Sequence, residues 1–260
     1  STTNNAPMAM TALEAVIESG KLDKKAQGDF IQALANYHYN AKDYPGAIKW
    51  FTRYQTETGD VTGVRQYIIR AYYFSNDFAR AKQELMSDLA AKQQAGKTPT
   101  IEELQLLANT GAKSKDPATY LIAMENLVRY YPSDDYWTDL LSRAQGKAGY
   151  SDRFALDVLR LQFKAVDTMP PQDYSDMAEI ALQNAFPTEA KKVLDAGYAK
   201  GVLGTGANAA KHKKLRDQAN KAAADDVKNI ASGEASAMKS KDGTGLINLG
   251  YAFVTMDQFD

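Results

Sequence analysis

Two stretches thirty-four residues apart carry the same four-step pattern. "NAKDYPGAIKWF" (40–51) places Asp43, Tyr44, Ala47 and Phe51, and "SNDFARAKQEL" (75–85) places Asp77, Phe78, Ala81 and Leu85 at the same steps. One match is chance, but four at a single offset point to a repeated unit of structure. A unit that short cannot bury its apolar face alone and must stack on copies of itself. This constrains the fold more than any other feature of the chain.

The repeated element is helical. No sustained period-two alternation occurs, and no Asn-Gly or Asp-Gly hairpin lies between β-branched runs. Amphipathic patterns of helical period dominate, and they come in pairs: 28–43 with 44–59, 62–77 with 78–96, 100–116 with 117–132, 135–149 with 151–167, and 172–186 with 187–201. Pro45, Pro117 and Pro187 each stand where the second helix of a pair begins, where a missing N–H costs nothing. Pro132 ends a pair, and Pro170–Pro171 precede the next. Two helices joined by so short a turn must approach closely, and Ala47, Ala81 and Ala190 supply the small residue for that approach. Tyr44 and Phe78 close the turn, while Phe51, Leu85 and Leu194 lie one helical turn further on, on the same buried face.

The stretch "LANYHYNAKDYPGAIKWF" (34–51) resembles the tetratricopeptide repeat (TPR), a helix–turn–helix unit of the length seen between Ala47 and Ala81. "LINLGYAFVTMDQF" (246–259) is similar to the first helix of another unit, with Leu249, Gly250 and Phe259 in the family's places. The resemblance covers roughly residues 25–200 and 244–260. It is degenerate in the pairs built on Leu104–Leu127 and Trp137–Leu161, where Tyr120 and Phe154 stand near the position of the small residue. It implies an all-α, right-handed superhelical solenoid of antiparallel helix pairs running as one array over 1–260. The array comprises a half-unit over 1–24, five pairs over 25–200, an irregular or long helical segment over 201–242, and a half-unit over 243–260. "MAMTALEAVIESG" (8–20) reads as a second helix lacking its first, and the chain stops at "QFD" where another helix should start, as in a fragment of a longer protein. Residues 205–242 are alanine-rich, charged and free of proline. They read as a long helix, interrupted if anywhere at Ser232–Gly233, with an apolar stripe of Leu215, Ala219, Ala222, Val227 and Ile230.

The inventory of chemistry is thin. There is no Cys and there are only two His, His38 and His212, with no nucleophile-elbow pattern, so neither a nucleophilic triad nor a zinc site finds its parts. The glycines of "GVLGTGAN" (201–208) follow a helix rather than a strand and read as a helix cap and linker. The basic run "KHKKLRDQANK" (211–221) reads as a solvated helix face balanced by Asp217, Asp225 and Asp226. Asp134–Asp135 and Asp225–Asp226 read as charges at helix starts. A net charge of −1 gives no global attraction to nucleic acid, and no apolar run is long enough to cross a membrane. The expectation is a protein that is not an enzyme and carries no cofactor or metal.

What remains is a surface. The resemblance places the first helices on the concave side of the solenoid, where peptides or protein segments bind. Projecting those helices brings inward Gln32, Asn36, Tyr39 and Asn40, then Gln66, Arg70, Tyr73 and Phe74, then Gln105 and Asn109. Asn and Gln bond a peptide backbone in both senses, Arg forks a carboxylate, and Tyr offers flat area at low entropy cost. The family's carboxylate clamp is matched only in part, since Asn36 fits but glutamines replace its lysines. The expected function is a protein–protein scaffold with a protein or peptide partner. The rivals are a structural spacer with an empty groove, and an accessory domain whose catalytic region lies outside this sequence. The lack of Cys and the kind of repeat resemble exported envelope TPR proteins of Gram-negative bacteria, which implies the periplasm, with the cytoplasm as the alternative.

Overall fold

The computed structural model describes residues 5–239 and 243–255, and among these every regular element is helical. The helices are α1 (Asn5–Glu18), α2 (Lys24–Asn40), α3 (Tyr44–Thr58), α4 (Thr62–Phe74), α5 (Phe78–Gln94), α6 (Ile101–Lys113), α7 (Pro117–Tyr130), α8 (Asp134–Gln145), α9 (Ala155–Ala165), α10 (Pro171–Gln183), α11 (Pro187–Ala199), α12 (Ala209–Ala237) and α13 (Thr244–Thr255). Among the described residues no helix is long and apolar enough to cross a membrane. The chain divides into two compact units, 1–131 and 132–260. In the first, each helix from α1 to α7 packs on the next; in the second, α8 to α13 do likewise, with α10 also touching α12 and α11 touching α13.

One turn recurs four times, between α2 and α3, α4 and α5, α6 and α7, and α10 and α11. Lys42, Asn76, Lys115 and Ala185 each take the left-handed conformation, with φ of 61°, 62°, 55° and 61°. The N–H of the next residue then donates to the carbonyl five positions earlier, Asp43 to His38, Asp77 to Tyr72, Asp116 to Gly111 and Phe186 to Ala181, at 2.8–2.9 Å. A left-handed non-glycine residue costs about 1–2 kcal/mol. In three of the four turns an aspartate cap offsets it: Asp43, Asp77 and Asp116 each accept the N–H three residues on, from Gly46, Arg80 and Thr119, at 3.1 Å.

The close helix contact follows the turn. Ala47, Ala81 and Ala190 are fully buried, as are Phe51 and Leu194, and Leu85 nearly so. In α6–α7 the bulky Tyr120 occupies the alanine's step, and the small residue has moved to the other helix. Gly111 stands nine residues before Tyr120, where Tyr72 stands nine before Ala81, and a Cβ on Gly111 would lie 2.6 Å from the Tyr120 backbone nitrogen. The sequence pattern looks degenerate there, yet the constraint is met. It is not met in the same way in α8–α9. There the recurrent turn is absent, a short 3-10 turn (Asp152–Phe154) leads into α9, and Phe154 and Leu161 are 43% and 46% exposed.

Polar ties repeat at the same interval. In the first unit Lys82 donates to Asp116 (2.5 Å), Gln93 to Asn126 (3.1 Å) and the Tyr131 hydroxyl to the Pro99 carbonyl (2.9 Å), each across 32 to 34 positions. In the second the Asp167 N–H donates to Asp134 (3.0 Å) and Lys200 to Asp167 (2.6 Å), each across 33. Lys82 and Gln93 of α5 thus reach Asp116 at the start of α7 and Asn126 within it, which joins one helix pair to the next.

Two expectations for the second unit change. α12 runs unbroken from Ala209 to Ala237, through Ser232–Gly233. Its buried stripe is Leu215, Ala219 and Ala223, packed where α12 meets α10 and α11, whereas Val227 is 58% exposed. The stripe at a spacing of four ends where that packing ends, and the Ile230 side chain and Phe259 lie outside what is described. Asp225–Asp226 sit in the middle of α12 rather than at a helix start, and burial holds the Asp226 carboxyl above its ordinary value. Asp134–Asp135 do open α8.

Ala47→Leu and Gly111→Ala should each lower stability by about 1–3 kcal/mol through overpacking. For Gly111 this outweighs the roughly 1 kcal/mol that alanine gains over glycine in a helix. Gly233→Ala in α12, where a Cβ meets nothing within 4 Å, should stabilise. Urea unfolding of the three variants tests this, and a stabilised Gly111→Ala would remove the close-contact argument. The Asp116 carboxyl lies far below the usual carboxylate range because Lys82, then the Thr119 hydroxyl and N–H, donate to it. A depressed folded pKa adds stability present above about pH 4 and lost as the pH falls below it. Asp116→Asn keeps a competent cap but cannot titrate. Its stability should therefore fall less than that of the wild type between about pH 5 and pH 2, as read by denaturant midpoints across that range.

Candidate functional site

The helix "TGVRQYIIRAYYF" (α4) contains no carboxylate. Its buried face is Val64, Ile68, Ile69 and Ala71. On another face, at i, i+3 and i+7, stand Tyr67, Arg70 and Phe74, all exposed, the two rings by 42% and 50%. This spacing puts the guanidinium between two aromatic rings on one helical stripe.

The rings are held from beneath. Tyr67 stacks on Phe51 of α3 (centroids 5.3 Å apart, planes at 21°), and Phe74 stacks on Tyr44 at the start of α3 (5.4 Å, 26°). Tyr39 of α2 meets both stacks edge-on, 5.7 Å from Tyr67 and 5.8 Å from Tyr44. Five rings therefore form one continuous chain, each contact in a geometry that aromatic quadrupoles favour. Burial raises the pKa of the Tyr39 phenol, and the nearby charge of Arg70 opposes that rise.

Arg70 differs from the other arginines. Arg53, Arg65, Arg80, Arg143, Arg160 and Arg216 each pair with a carboxylate, and Arg129 and Arg153 each lie over an aromatic ring. Among the described residues Arg70 makes no ion pair, no ring contact and no hydrogen bond. Neither Asp29 of α2 nor Glu102 of α6 pairs with it among the described residues.

The other residues projected onto this face divide. Gln66 donates to Glu103 of α6 at 2.7 Å and is spent on joining helices. Tyr73 is half-buried, edge-on to Phe78 (5.7 Å) and Phe74 (5.5 Å), and closes the α4–α5 turn. Gln32 and Asn36 are half-buried and Asn40 exposed on α2, while Asn109 is exposed on α6; none of the four makes a hydrogen bond to protein among the described residues. Gln105 is exposed on α6. The structure thus gathers Tyr39, Arg70 and Phe74 and adds Tyr44 and Tyr67, which the projection passed over. The signal for Tyr67 was present: Tyr-x2-Arg-x3-Phe on a helix with no acid.

The remaining motifs are structural. Asp43 accepts from His38 Nδ1 at 2.6 Å while capping α3, and that bond is the first cause of its lowered pKa. His212 is buried, and its Nδ1 accepts the Gly204 N–H at 3.2 Å, which ties the loop before α12 to the helix. Gly201, Gly204 and Gly206 all have positive φ, as a cap and linker require. In the basic run, Lys211 pairs with Glu179, Lys213 with Asp217 and Arg216 with Asp195, so much of its charge is matched.

No protein-family model matches this chain, and no curated protein sequence matches it either.

Arg70 is the one neighbour holding the Tyr39 pKa down, against burial, Tyr44 and Tyr67. Arg70→Ala should therefore move Tyr39 ionisation to higher pH, measured by NMR titration of its ring carbons. An unchanged or lower value would mean the Arg70 charge does not act on Tyr39.

Proposed function

We propose that this chain is a TPR-like solenoid of antiparallel helix pairs that works as a protein–protein interaction scaffold, not an enzyme, in the envelope of a Gram-negative bacterium. A peptide or protein segment docks on the face of α2, α4 and α6. The observation that carries this reading is the stripe Tyr67, Arg70, Phe74: two exposed aromatic rings about an arginine with no ion pair among the described residues. Aromatic and arginine side chains dominate binding hot spots because they bury large area with little entropy loss. The ring chain behind Tyr67 and Phe74 keeps those two rings in place before any partner arrives, which lowers the cost of binding. The half-buried Asn36 and the exposed Asn40 and Asn109 supply backbone-directed hydrogen bonds around that stripe.

A spacer with an empty groove is the second reading, and the Gln66–Glu103 bond favours it. A groove residue committed to its neighbouring helix fixes geometry and leaves less to offer a ligand.

The two part on one experiment. Immobilised wild-type chain, Arg70→Ala and Phe74→Ala should be compared for partners captured from an envelope extract, with Lys213→Ala as the control. Scaffolding predicts that both groove variants weaken capture by about 1–3 kcal/mol, measured on the captured partner, while unfolding midpoints hold. Capture unaffected by either variant, or variants that simply unfold more easily, would favour the spacer.

A further inference from the structure

The chemistry of the stripe specifies what it takes, an inference resting on the scaffold reading above. From the unpaired Arg70 set between the exposed Tyr67 and Phe74, we propose that this face reads an internal acidic side chain flanked by apolar residues in an extended partner segment.

Three observations fix that choice. The first is charge: α4 carries no Asp or Glu, and Arg70 has no ion pair among the described residues, whereas six other arginines of the chain have found one. A guanidinium presents paired N–H donors in a planar fork that matches a carboxylate bidentately. The second is flanking surface. Tyr67 and Phe74 lie one turn to either side of Arg70, so an extended segment whose acid reaches the fork lays the side chains two positions to either side of it on the two rings. The third is rigidity. Tyr67 is stacked on Phe51 and Phe74 on Tyr44, so the rings are fixed walls rather than mobile side chains. A second basic residue would be expected if a chain terminus bearing two carboxylates were the ligand. The near positions hold Gln66 and Tyr73 instead, one bonded to Glu103 and one packed on Phe78. One fork and two rings match one internal acid in an apolar setting.

The test uses the full chain and three defined peptides. The first is acetyl-Ala-Pro-Leu-Glu-Leu-Pro-Ala-amide, whose prolines favour an extended backbone. The second has Gln in place of Glu. The third is the Gln peptide with a free terminal carboxylate. Titration of isotope-labelled protein by NMR should show saturable shifts at Tyr67, the Arg70 side chain and Phe74 with the Glu peptide. The other two peptides should bind at least about tenfold more weakly, the loss typical of a charge-assisted bond. Arg70→Gln should abolish the preference for Glu over Gln, and Arg70→Lys should restore part of it, while the rest of each spectrum stays unchanged. Equal shifts from the Glu and Gln peptides would overturn the acidic specificity and leave the scaffold reading standing. Equal shifts from the Glu and free-terminus peptides would overturn the internal acid in favour of a terminal one. A face silent to all three would overturn the inference outright, and partner capture lost in Phe74→Ala would still uphold the scaffold.

Discussion

The structure depends on the approach of two consecutive helices at a short turn. The turn fixes the distance through a left-handed residue and a bond back over five positions, and at that distance two large side chains cannot face each other. Three pairs place alanine on the second helix. The α6–α7 pair places glycine on the first and tyrosine on the second. What is preserved is the gap, not the residue. This is why α6–α7 belongs with its neighbours although its pattern looks broken.

Stacking one pair on the next is left to mixed contacts. Glu103 caps α6 from within a capping box and also accepts from Gln66 on α4 and Lys92 on α5. Lys92 in turn reaches Asp88, and Arg65 reaches Glu84 and Asp88. Single exposed ion pairs contribute about 0–1 kcal/mol, but these are partly buried and share partners, which makes them a network rather than a set of pairs. Glu103 lies at a helix start, where the dipole already favours it, so one carboxylate serves both its own helix and its neighbours. Asp116 does the same for α7 and Lys82.

Much of this was legible in the sequence. Helix pairs, their boundaries and the buried alanines follow from period, proline and the spacing of Ala47 and Ala81. The α12 stripe was read one residue off, at Ala222 instead of Ala223. A charged, alanine-rich helix has too few large apolar residues to fix its phase, and only contact with α10 and α11 selects the face. Asp225–Asp226 were misplaced because a pair of acids marks a helix start only when a break precedes it. At the candidate site α4 and Arg70 were legible, whereas the internal partners of Gln66 and Tyr73 were not. Gln66 and Tyr73 were projected inward by period alone, and period says nothing about whether another helix offers Glu103 or a turn offers Phe78.

Those same contacts explain why the site lies on α4. Six of the other arginines pair with a carboxylate, and Arg129 and Arg153 lie over aromatic rings. Beside α4, Glu84 and Asp88 of α5 are committed to Arg65, and Glu103 of α6 to Lys92 and Gln66. The stripe instead faces Tyr39 and the rings of α3, which offer quadrupoles but no carboxylate within bonding distance. A cation so placed adds little to folding, since it has no ion pair among the described residues and is not buried. Its energetic role is therefore open to a ligand, and the rings that deny it an internal partner also supply the walls that would hold an external one.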